Sequence, residues 1–397
     1  YIGFMESRKR SVREEAFKTM YEAYHKLRNT LAATYGFNTK TDVVMARIRR
    51  YPSAIEAALS GDNIPLSVYD NLILAVNDRL GVLHRYLEHK RRLLGVDTLH
   101  MYDVYAPAVP GREEKLPYAE ALRIMRAGLA PLGDAYLDAA ERGAADGWID
   151  VFENEGKTSG AYSFGSYDSK PFILLNYNDR LKDLFTLVHE MGHSMHAWYT
   201  RKTQPFVYGG HSIFTAEVAS TVNESLLMQH LIAGARDPGE KKYLLCMYIE
   251  EFRTTLFRQT MFAEFERLTH ASVERGEALT ADLLSREYLA LNKKYFGEAV
   301  VSDEAIAAEW ARIPHFYRAF YVYKYATGFS AATAIAKRLL TGGAAARDAY
   351  IAFLKTGESD DPIELLKIAG VDMSEPAPVA QAMDTFESLV DALEEML

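Results

Sequence analysis

The sequence is poor in several features that would indicate particular classes of protein. It has one cysteine, Cys246, in 397 residues, which excludes a disulfide framework and a metal site built from several cysteines. Acidic residues outnumber basic ones by 54 to 45, giving a formal charge of −9, so the basic surface that nucleic-acid binding requires is missing. No apolar run approaches the roughly 18–20 residues of a membrane span. We therefore expect neither nucleic acid nor a membrane as a partner, and we expect a cytoplasmic location.

The beginning of the chain also lacks familiar features. Tyr1-Ile2-Gly3-Phe4 contains neither an initiator methionine nor the charged and apolar stretches of a secretory signal. We interpret this beginning as that of a fragment. The apolar share of 49% is nevertheless ample for a buried core, which excludes an intrinsically disordered chain.

Apolar residues recur at spacings of three and four along most of the chain, which is the period of an amphipathic helix. The pattern predicts helices over 11–35, 66–94, 117–142, 242–268, 281–296, 345–355 and 379–397. Three short segments are rich in β-forming residues and bounded by turn formers, which predicts strands. These segments are 149–153, 160–165 and 172–175. The expected fold is a mainly α, large multi-helix body with a small β-sheet next to a helix at about 179–200.

A break in this pattern near 144–147 is the one candidate lobe boundary. It separates a helical lobe, 1–146, from a catalytic lobe, 147–397. Because no linker composition accompanies the break, the two lobes are expected to form one continuous helical body.

The helix after the predicted sheet contains an HExxH motif, His189-Glu190-Met191-Gly192-His193. Positions i and i+4 of a helix face the same side one turn apart, so both imidazoles can bind one metal ion. Glu190 can then accept a proton from a metal-bound water, which makes it the expected general base. The motif also arises by chance, but two core-facing imidazoles and a carboxylate are costly to bury unless a metal ion binds them. We expect one zinc ion at this motif.

A catalytic zinc ion takes three protein ligands and leaves one position open for water. His196 shares the face of the two histidines but lies about 10 Å further along the helix axis, out of reach. A metzincin would have a histidine at the position of Tyr199. The remaining candidates are Glu217 and Glu224, which lie i, i+7 apart on one face of an apolar helix over 211–232. We predict Glu217 as the third ligand and Glu224 as the residue that steadies a ligand imidazole, the alternative being two glutamates exposed on an ordinary surface helix.

These residues resemble the oligoendopeptidase F branch of the thimet-oligopeptidase-like zinc peptidases. The resemblance begins with HEMGHSMH at 189–196, followed by Glu217 in FTAEVASTVNE. It continues in three further segments that are similar to that branch: GKTSGAYSFGSYDSKPFILLNYND (156–179), FRQTMFAEFE (257–266) and IPHFYRAFYVYKYATG (313–328). It extends over essentially the whole chain, which makes it far more specific than the HExxH motif alone.

The resemblance implies roles for particular residues. His189, His193 and Glu217 match the zinc ligands of the family, and Glu190 matches its general base. The strand around Gly160-Ala161-Tyr162 matches the edge that pairs with the substrate backbone.

The resemblance also concerns the beginning of the chain. Members of the branch carry a further helical segment upstream of the stretch at 6–17, and we expect that this fragment lacks it.

The His- and Tyr-rich helix of 315–325 matches the segment that stabilises the transition state. Its phenol and imidazole groups could donate hydrogen bonds to the oxyanion that forms when a peptide carbonyl is attacked. For most of these side chains, packing in an aromatic core is the alternative.

The tyrosine register within that segment differs from the family pattern. The thimet-type branch spaces its tyrosines i, i+4, i+7, and this spacing meets Phe316, Phe320 and Tyr323 here. Only the last of these three keeps a hydroxyl group. We therefore favour His315 and Tyr323 as the stabilising residues, with Tyr321 next.

The expected function is that of a zinc-dependent endopeptidase that hydrolyses internal bonds of short oligopeptides. The restriction to short peptides is implied by the resemblance, since members of the family place their site deep in a channel of a helical body. Two alternatives stay open. One is a non-peptidase zinc amide hydrolase that uses the same helix. The other is a helical binding scaffold with a structural metal site, which would have four protein ligands and no open position.

Overall fold

The computed structural model describes residues 1–111 and 115–397, and helices dominate that part of the chain. The α-helices in chain order are α1 (Ile2–Met5), α2 (Arg10–Lys26), α3 (Arg28–Ile48), α4 (Ala54–Leu59), α5 (Leu66–Asp78), α6 (Leu80–Leu94), α7 (Tyr118–Gly128), α8 (Asp134–Ala145), α9 (Leu181–Thr203), α10 (Ile213–Gly234), α11 (Pro238–Glu251), α12 (Arg258–Glu274), α13 (Ala281–Phe296), α14 (Tyr323–Thr341), α15 (Gly343–Phe353), α16 (Pro362–Ile368) and α17 (Ala377–Glu394). The predicted mainly α fold is confirmed.

Strands are few and short among the described residues. They are β1 (Leu99–His100), β2 (Ile149–Asp150), β3 (Tyr162–Phe164), β4 (Phe172–Leu174) and β5 (Val300–Val301). The predicted small sheet has the strand order β2-β4-β3, with β2 parallel and β3 antiparallel to β4. It directly precedes α9 in the chain, as the sequence indicates. The remaining two strands, β1 and β5, form a parallel pair.

The predicted helices differ from the observed ones mainly where one periodic pattern covers two helices. The helix predicted over 66–94 is α5 followed by α6, and the one over 242–268 is α11 and α12, joined by the π-helical segment Phe252–Phe257. Apolar periodicity continues across such junctions because both helices bury their faces in the same core. No helix in the described ranges is both long and apolar enough to cross a membrane.

The chain forms two compact units, and each consists of separate stretches of sequence. The first contains residues 1–111, 245–326 and 386–397, and the second contains the described residues 115–244 together with 327–385. The lobe boundary expected at 146 therefore falls inside the second unit. Within the first unit, α3, α5 and α13 pack around α12. Within the second unit, α9 packs against α10, α7, α8 and the three-stranded sheet.

Helix α9 begins where local chemistry favours a helix start. The Asp183 carboxylate accepts hydrogen bonds from the backbone N–H groups of Asn178 and Arg180, which satisfies donors before the first turn and complements the positive end of the helix dipole. The helix ends at Thr203, just before Pro205. These two boundaries place the HExxH motif in the middle of a 23-residue helix.

Gly192 allows α9 and α10 to approach each other closely. A Cβ atom at this position would lie 2.6 Å from Cα of Ser220 and 2.8 Å from the backbone oxygen of Ala219. Both distances are too short for any side chain, so the two backbones are in contact here. The contact lies between the two histidines on α9 and one turn after Glu217 on α10.

Candidate active site

The two histidines of the HExxH motif lie on one face of α9 and point their Nε2 atoms toward the same place. The two Nε2 atoms are 3.2 Å apart, and the rings are nearly perpendicular, at 84°. Glu217 of α10 approaches from the facing helix. Its Oε2 atom lies 3.6 Å from Nε2 of His189 and 3.7 Å from Nε2 of His193. The side chains predicted as metal ligands are thus brought together.

The spacing of these three atoms fits a zinc ion. The circle through atoms that are 3.2, 3.6 and 3.7 Å apart has a radius of about 2.0 Å, and zinc binds nitrogen and oxygen at roughly 2.0–2.2 Å. Within the described residues, His189, His193 and Glu217 are the only group of three or more such side chains close enough to hold a metal ion. Two imidazoles and one carboxylate form a donor set typical of a catalytic zinc site, with one position left for water.

The imidazole of His189 has a second contact on its other side. Nδ1 of His189 lies 3.1 Å from Oε2 of Glu224. A hydrogen bond at Nδ1 fixes the tautomer that leaves Nε2 free to bind a metal ion. Glu224 therefore lies where the sequence predicts a residue that steadies a ligand.

The same contacts separate the pKa values of the two histidines in the metal-free chain. Burial alone would lower the pKa of His189, but the hydrogen bond and charge of Glu224, with the charge of Glu217, raise it to about 9. Burial and the neighbouring charge of His189 lower the pKa of His193 to about 4. Because a metal ion binds neutral imidazoles, binding here must release the proton of His189.

Glu190 lies beside the ligand set, on the side of α9 that faces the sheet. Glu190 is 7% exposed. Burial raises the pKa of its carboxyl group above the ordinary value, and the charge of His189 opposes this rise in part. The backbone of Ser163 in β3 also opposes this rise in pKa. A buried carboxylate with a raised pKa is a stronger base than an exposed one, which suits proton transfer.

A pair of serines, which the sequence analysis did not identify, connects β3 to α9. The hydroxyl groups of Ser163 and Ser194 lie 2.8 Å apart, and Ser194 is fully buried. The sequence positions of the two serines are consistent with this contact. Ser194 lies one helical turn after Glu190, and Ser163 alternates with the exposed Tyr162 and Phe164 along the strand.

The predicted substrate strand lies at the edge of the small sheet. Among the described strands, β3 pairs only with β4, which leaves its other edge unpaired. Gly160 has a left-handed φ of +92°, Tyr162 is 49% exposed, and Gly160 and Ala161 line a cavity of about 250 Å³ with Thr186 of α9. An unpaired strand edge next to Glu190 can accept an extended peptide by main-chain hydrogen bonds.

The prediction of one helix over 315–325 is wrong. A 3₁₀ turn covers Pro314–Tyr317, α14 begins only at Tyr323, and Phe320 between them has a left-handed φ of +53°. The comparison with the family's tyrosine spacing requires one continuous helix over 315–325. It therefore does not apply to this segment. Apolar periodicity missed the interruption because Phe316 before it and Tyr323 after it are both buried.

The structure also changes the ranking of the side chains in this segment, which belongs to the first unit. Tyr323 is fully buried and packs on Tyr69, with ring centroids 5.1 Å apart. It is a core residue, so its choice as a transition-state-stabilising residue is corrected. His315 is exposed and Tyr321 is partly exposed, and their stacked rings are 6.0 Å apart, with Tyr325 5.5 Å from Tyr321.

His196 lies in the core of the second unit and is 2% exposed. Its ring contacts that of His211 with a centroid distance of 3.8 Å, and His211 Nε2 lies 2.9 Å from the Thr200 hydroxyl. Burial lowers the pKa of His196 well below its ordinary value. This placement agrees with a packing role.

Comparisons with known proteins identify the family to which the chain is similar. The profile described as peptidase family M3 matches residues 3–385. The chain is 49% identical over 397 residues to oligopeptidase PepF of Bacillus subtilis and 44% identical to group B oligopeptidase PepB of Streptococcus agalactiae, covering 100% of this chain in both cases. It spans 59% and 66% of the lengths of these two relatives.

A solved structure extends the comparison to the fold. Oligoendopeptidase-F from Enterococcus faecium superposes with a TM-score of 0.83 at 41% identity, covering 100% of this chain and 65% of that one. The resemblance inferred from the sequence motifs is therefore confirmed. The chain belongs to peptidase family M3.

Proposed function

We propose that this chain carries the catalytic centre of a zinc-dependent oligoendopeptidase, which cleaves internal bonds of short peptides. One observation carries the proposal: three ligand atoms from His189, His193 and Glu217 surround a space of zinc-binding size, with the carboxylate of Glu190 beside them. The names of the relatives, oligopeptidase and oligoendopeptidase, support the substrate class. Because the described residues contain one such His₂Glu set, the proposal includes one ion per chain.

His189, His193 and Glu217 would hold the zinc ion, which when bound supplies Lewis-acid activation of water and of the scissile carbonyl. Glu190 accepts the proton of the attacking water and then delivers it to the leaving amine. Burial suits Glu190 to the first of these steps, because it raises the pKa of the carboxyl and so makes the carboxylate a better proton acceptor.

Two further parts of the chain would act on the substrate itself. The unpaired edge of β3 would bind the peptide backbone in an extended form, which orients the scissile bond. His315 and Tyr321 would donate hydrogen bonds to the oxyanion that develops on the attacked carbonyl. Both side chains have exposed surface available for such a contact.

Peptide digestion tests the proposal. The purified chain, loaded with one equivalent of zinc, is incubated with a varied set of peptides, and the products are identified by mass spectrometry. We expect cleavage at internal bonds, loss of cleavage after chelation, and recovery when zinc is restored. Chelator-sensitive hydrolysis of other amides without peptide cleavage would favour the non-peptidase hydrolase. Bound zinc without hydrolysis of any kind would favour the binding scaffold.

The contact between Glu224 and His189 predicts a specific effect on metal affinity. Glu224→Gln keeps the size of the side chain but removes the charge that faces Nδ1 of His189. Loss of such a partner typically weakens metal binding by about 10–100-fold, which competition with a chromophoric chelator measures. The exposed Glu153 in the same unit offers a matched Glu→Gln control that should bind zinc like the unchanged chain. Equal affinity in the two variants would contradict the assigned role of Glu224.

A further inference from the structure

One buried carboxyl group in the first unit takes no part in the proposed chemistry. Glu266, on α12, is fully buried. Its Oε1 atom accepts a hydrogen bond of 2.9 Å from the backbone N–H of Phe320. Its Oε2 atom has no hydrogen-bond partner in the described part of the chain. Burying a carboxyl group costs desolvation free energy. This one accepts a hydrogen bond from a single backbone amide.

The residue that donates this hydrogen bond has an unusual backbone conformation. Phe320 has a φ of +53°, a region that bulky L-residues adopt only when the surrounding structure holds them there. Its ring is 2% exposed and lies 4.4 Å from the ring of His270 and 5.8 Å from that of Tyr69, measured between centroids. Without Glu266, the Phe320 N–H would be a buried donor with no partner at a strained position.

Phe320 lies in the turn that connects the two accessible side chains predicted to contact the transition state. His315 precedes it, at the 3₁₀ turn, and Tyr321 follows it directly. Their rings stack with centroids 6.0 Å apart. The left-handed conformation at Phe320 sets the direction in which the chain leaves the turn, so it also sets the position of Tyr321 relative to His315.

We propose that Glu266 is a positioning residue, whose buried carboxyl group holds Phe320 in its left-handed conformation and thereby places Tyr321 beside His315. The proposal rests on the function proposed above, in which these two side chains stabilise the oxyanion. Glu266 touches neither substrate nor metal in this scheme. It acts through the backbone of Phe320.

The surroundings of Glu266 disfavour the charged form of its carboxyl group. Burial raises the pKa of Glu266 well above its ordinary value, the Phe320 N–H opposes this in part, and the charge of Asp42 on α3 adds to it. Tyr35 on α3 and Tyr69 on α5 also lie near this carboxyl group, and burial raises the pKa of both phenols. His270 follows one turn later on α12 itself. Glutamine keeps the shape of the side chain and an oxygen acceptor for the Phe320 N–H, whereas methionine keeps its length but has no oxygen atom.

Two variants separate positioning from general destabilisation. Glu266→Met removes the acceptor, and Glu266→Gln retains one. Glu264→Met is the matched control, since Glu264 lies two residues away on α12, is also largely buried, and binds Lys294 and Tyr295 instead. For each zinc-loaded chain we would measure kcat and KM with a cleaved peptide, the zinc content, and hydrogen exchange at the amide of Phe320.

We expect Glu266→Met to lower kcat by at least about tenfold, because small misplacements of stabilising groups are costly, while KM and zinc content stay unchanged. Exchange at Phe320 should accelerate by at least about tenfold, since the amide loses its acceptor. Glu266→Gln should recover most of kcat and of the protection. Glu264→Met should lower the melting temperature without changing kcat or the exchange at Phe320.

Three results would overturn the proposal: an unchanged kcat in Glu266→Met, an equal loss of kcat in Glu264→Met, or no recovery in Glu266→Gln. If Glu266→Met does not fold, exchange in the unchanged chain still decides, because an unprotected Phe320 amide would contradict the hydrogen bond. An inactive unchanged chain with a protected Phe320 amide would refute the proposed peptidase function and, with it, the catalytic purpose of this contact. Those two failures are distinguishable, because the exchange measurement requires no substrate.

Discussion

Glu190→Gln should abolish peptide hydrolysis while leaving zinc binding intact. Glutamine has the size of glutamate, so the packing of this 7% exposed residue is kept, but its amide cannot accept a proton from water. Removal of a general base typically costs about 10²–10⁴-fold in rate. The loss should appear in kcat, because Glu190 acts on the water and the leaving group and is not a metal ligand in the proposed mechanism.

The measurement compares kcat and KM for one cleaved peptide with the zinc content of the same preparation. Glu153→Gln provides the control, because Glu153 lies in the same unit and is exposed, so it should keep full activity. Full activity in Glu190→Gln would remove this residue from the mechanism. Loss of zinc together with activity would instead assign Glu190 a role in holding the metal site.

The ligand cluster could be predicted from the sequence because it depends on local helical geometry. His189 and His193 share a face at a spacing of four residues, and Glu217 and Glu224 share one at a spacing of seven. In the structure, the first glutamate of the pair faces both Nε2 atoms and the second faces Nδ1 of His189. The only long-range step is the meeting of the two helices, which two glutamates on one face of an otherwise apolar helix suggest.

The segment around Phe320 could not be predicted by the same reasoning. Its aromatic residues fit a helical pattern, yet the chain leaves the helical region there because a buried carboxyl group from α12 holds Phe320 at a φ of +53°. Glu266 is 54 residues away along the sequence, and no periodicity connects the two. Tyr323 was misassigned for a related reason, since its burial depends on Tyr69 from a distant helix.

The close approach at Gly192 was equally invisible in the sequence, and it predicts the largest effect on stability. Gly192→Ala would place Cβ 2.6 Å from Cα of Ser220 and 2.8 Å from the oxygen of Ala219. These neighbours are backbone atoms and cannot rotate away, so α9 and α10 must move apart. Overpacking of this kind costs about 1–3 kcal/mol and sometimes more, which we expect as a lowered free energy of unfolding.

The same displacement should weaken metal binding, because Ser220 is also linked to the third predicted ligand. The Ser220 hydroxyl donates to the backbone oxygen of Glu217 at 3.0 Å and lies 3.3 Å from its Oε2 atom. Gly234→Ala, at the end of α10 where a Cβ meets nothing within 4 Å, is the matched control and should be neutral or stabilise by up to about 1 kcal/mol. Denaturant unfolding and zinc competition on both variants test this. If Gly192→Ala matched Gly234→Ala in both measurements, close packing of α9 on α10 could not be what brings Glu217 to the two histidines.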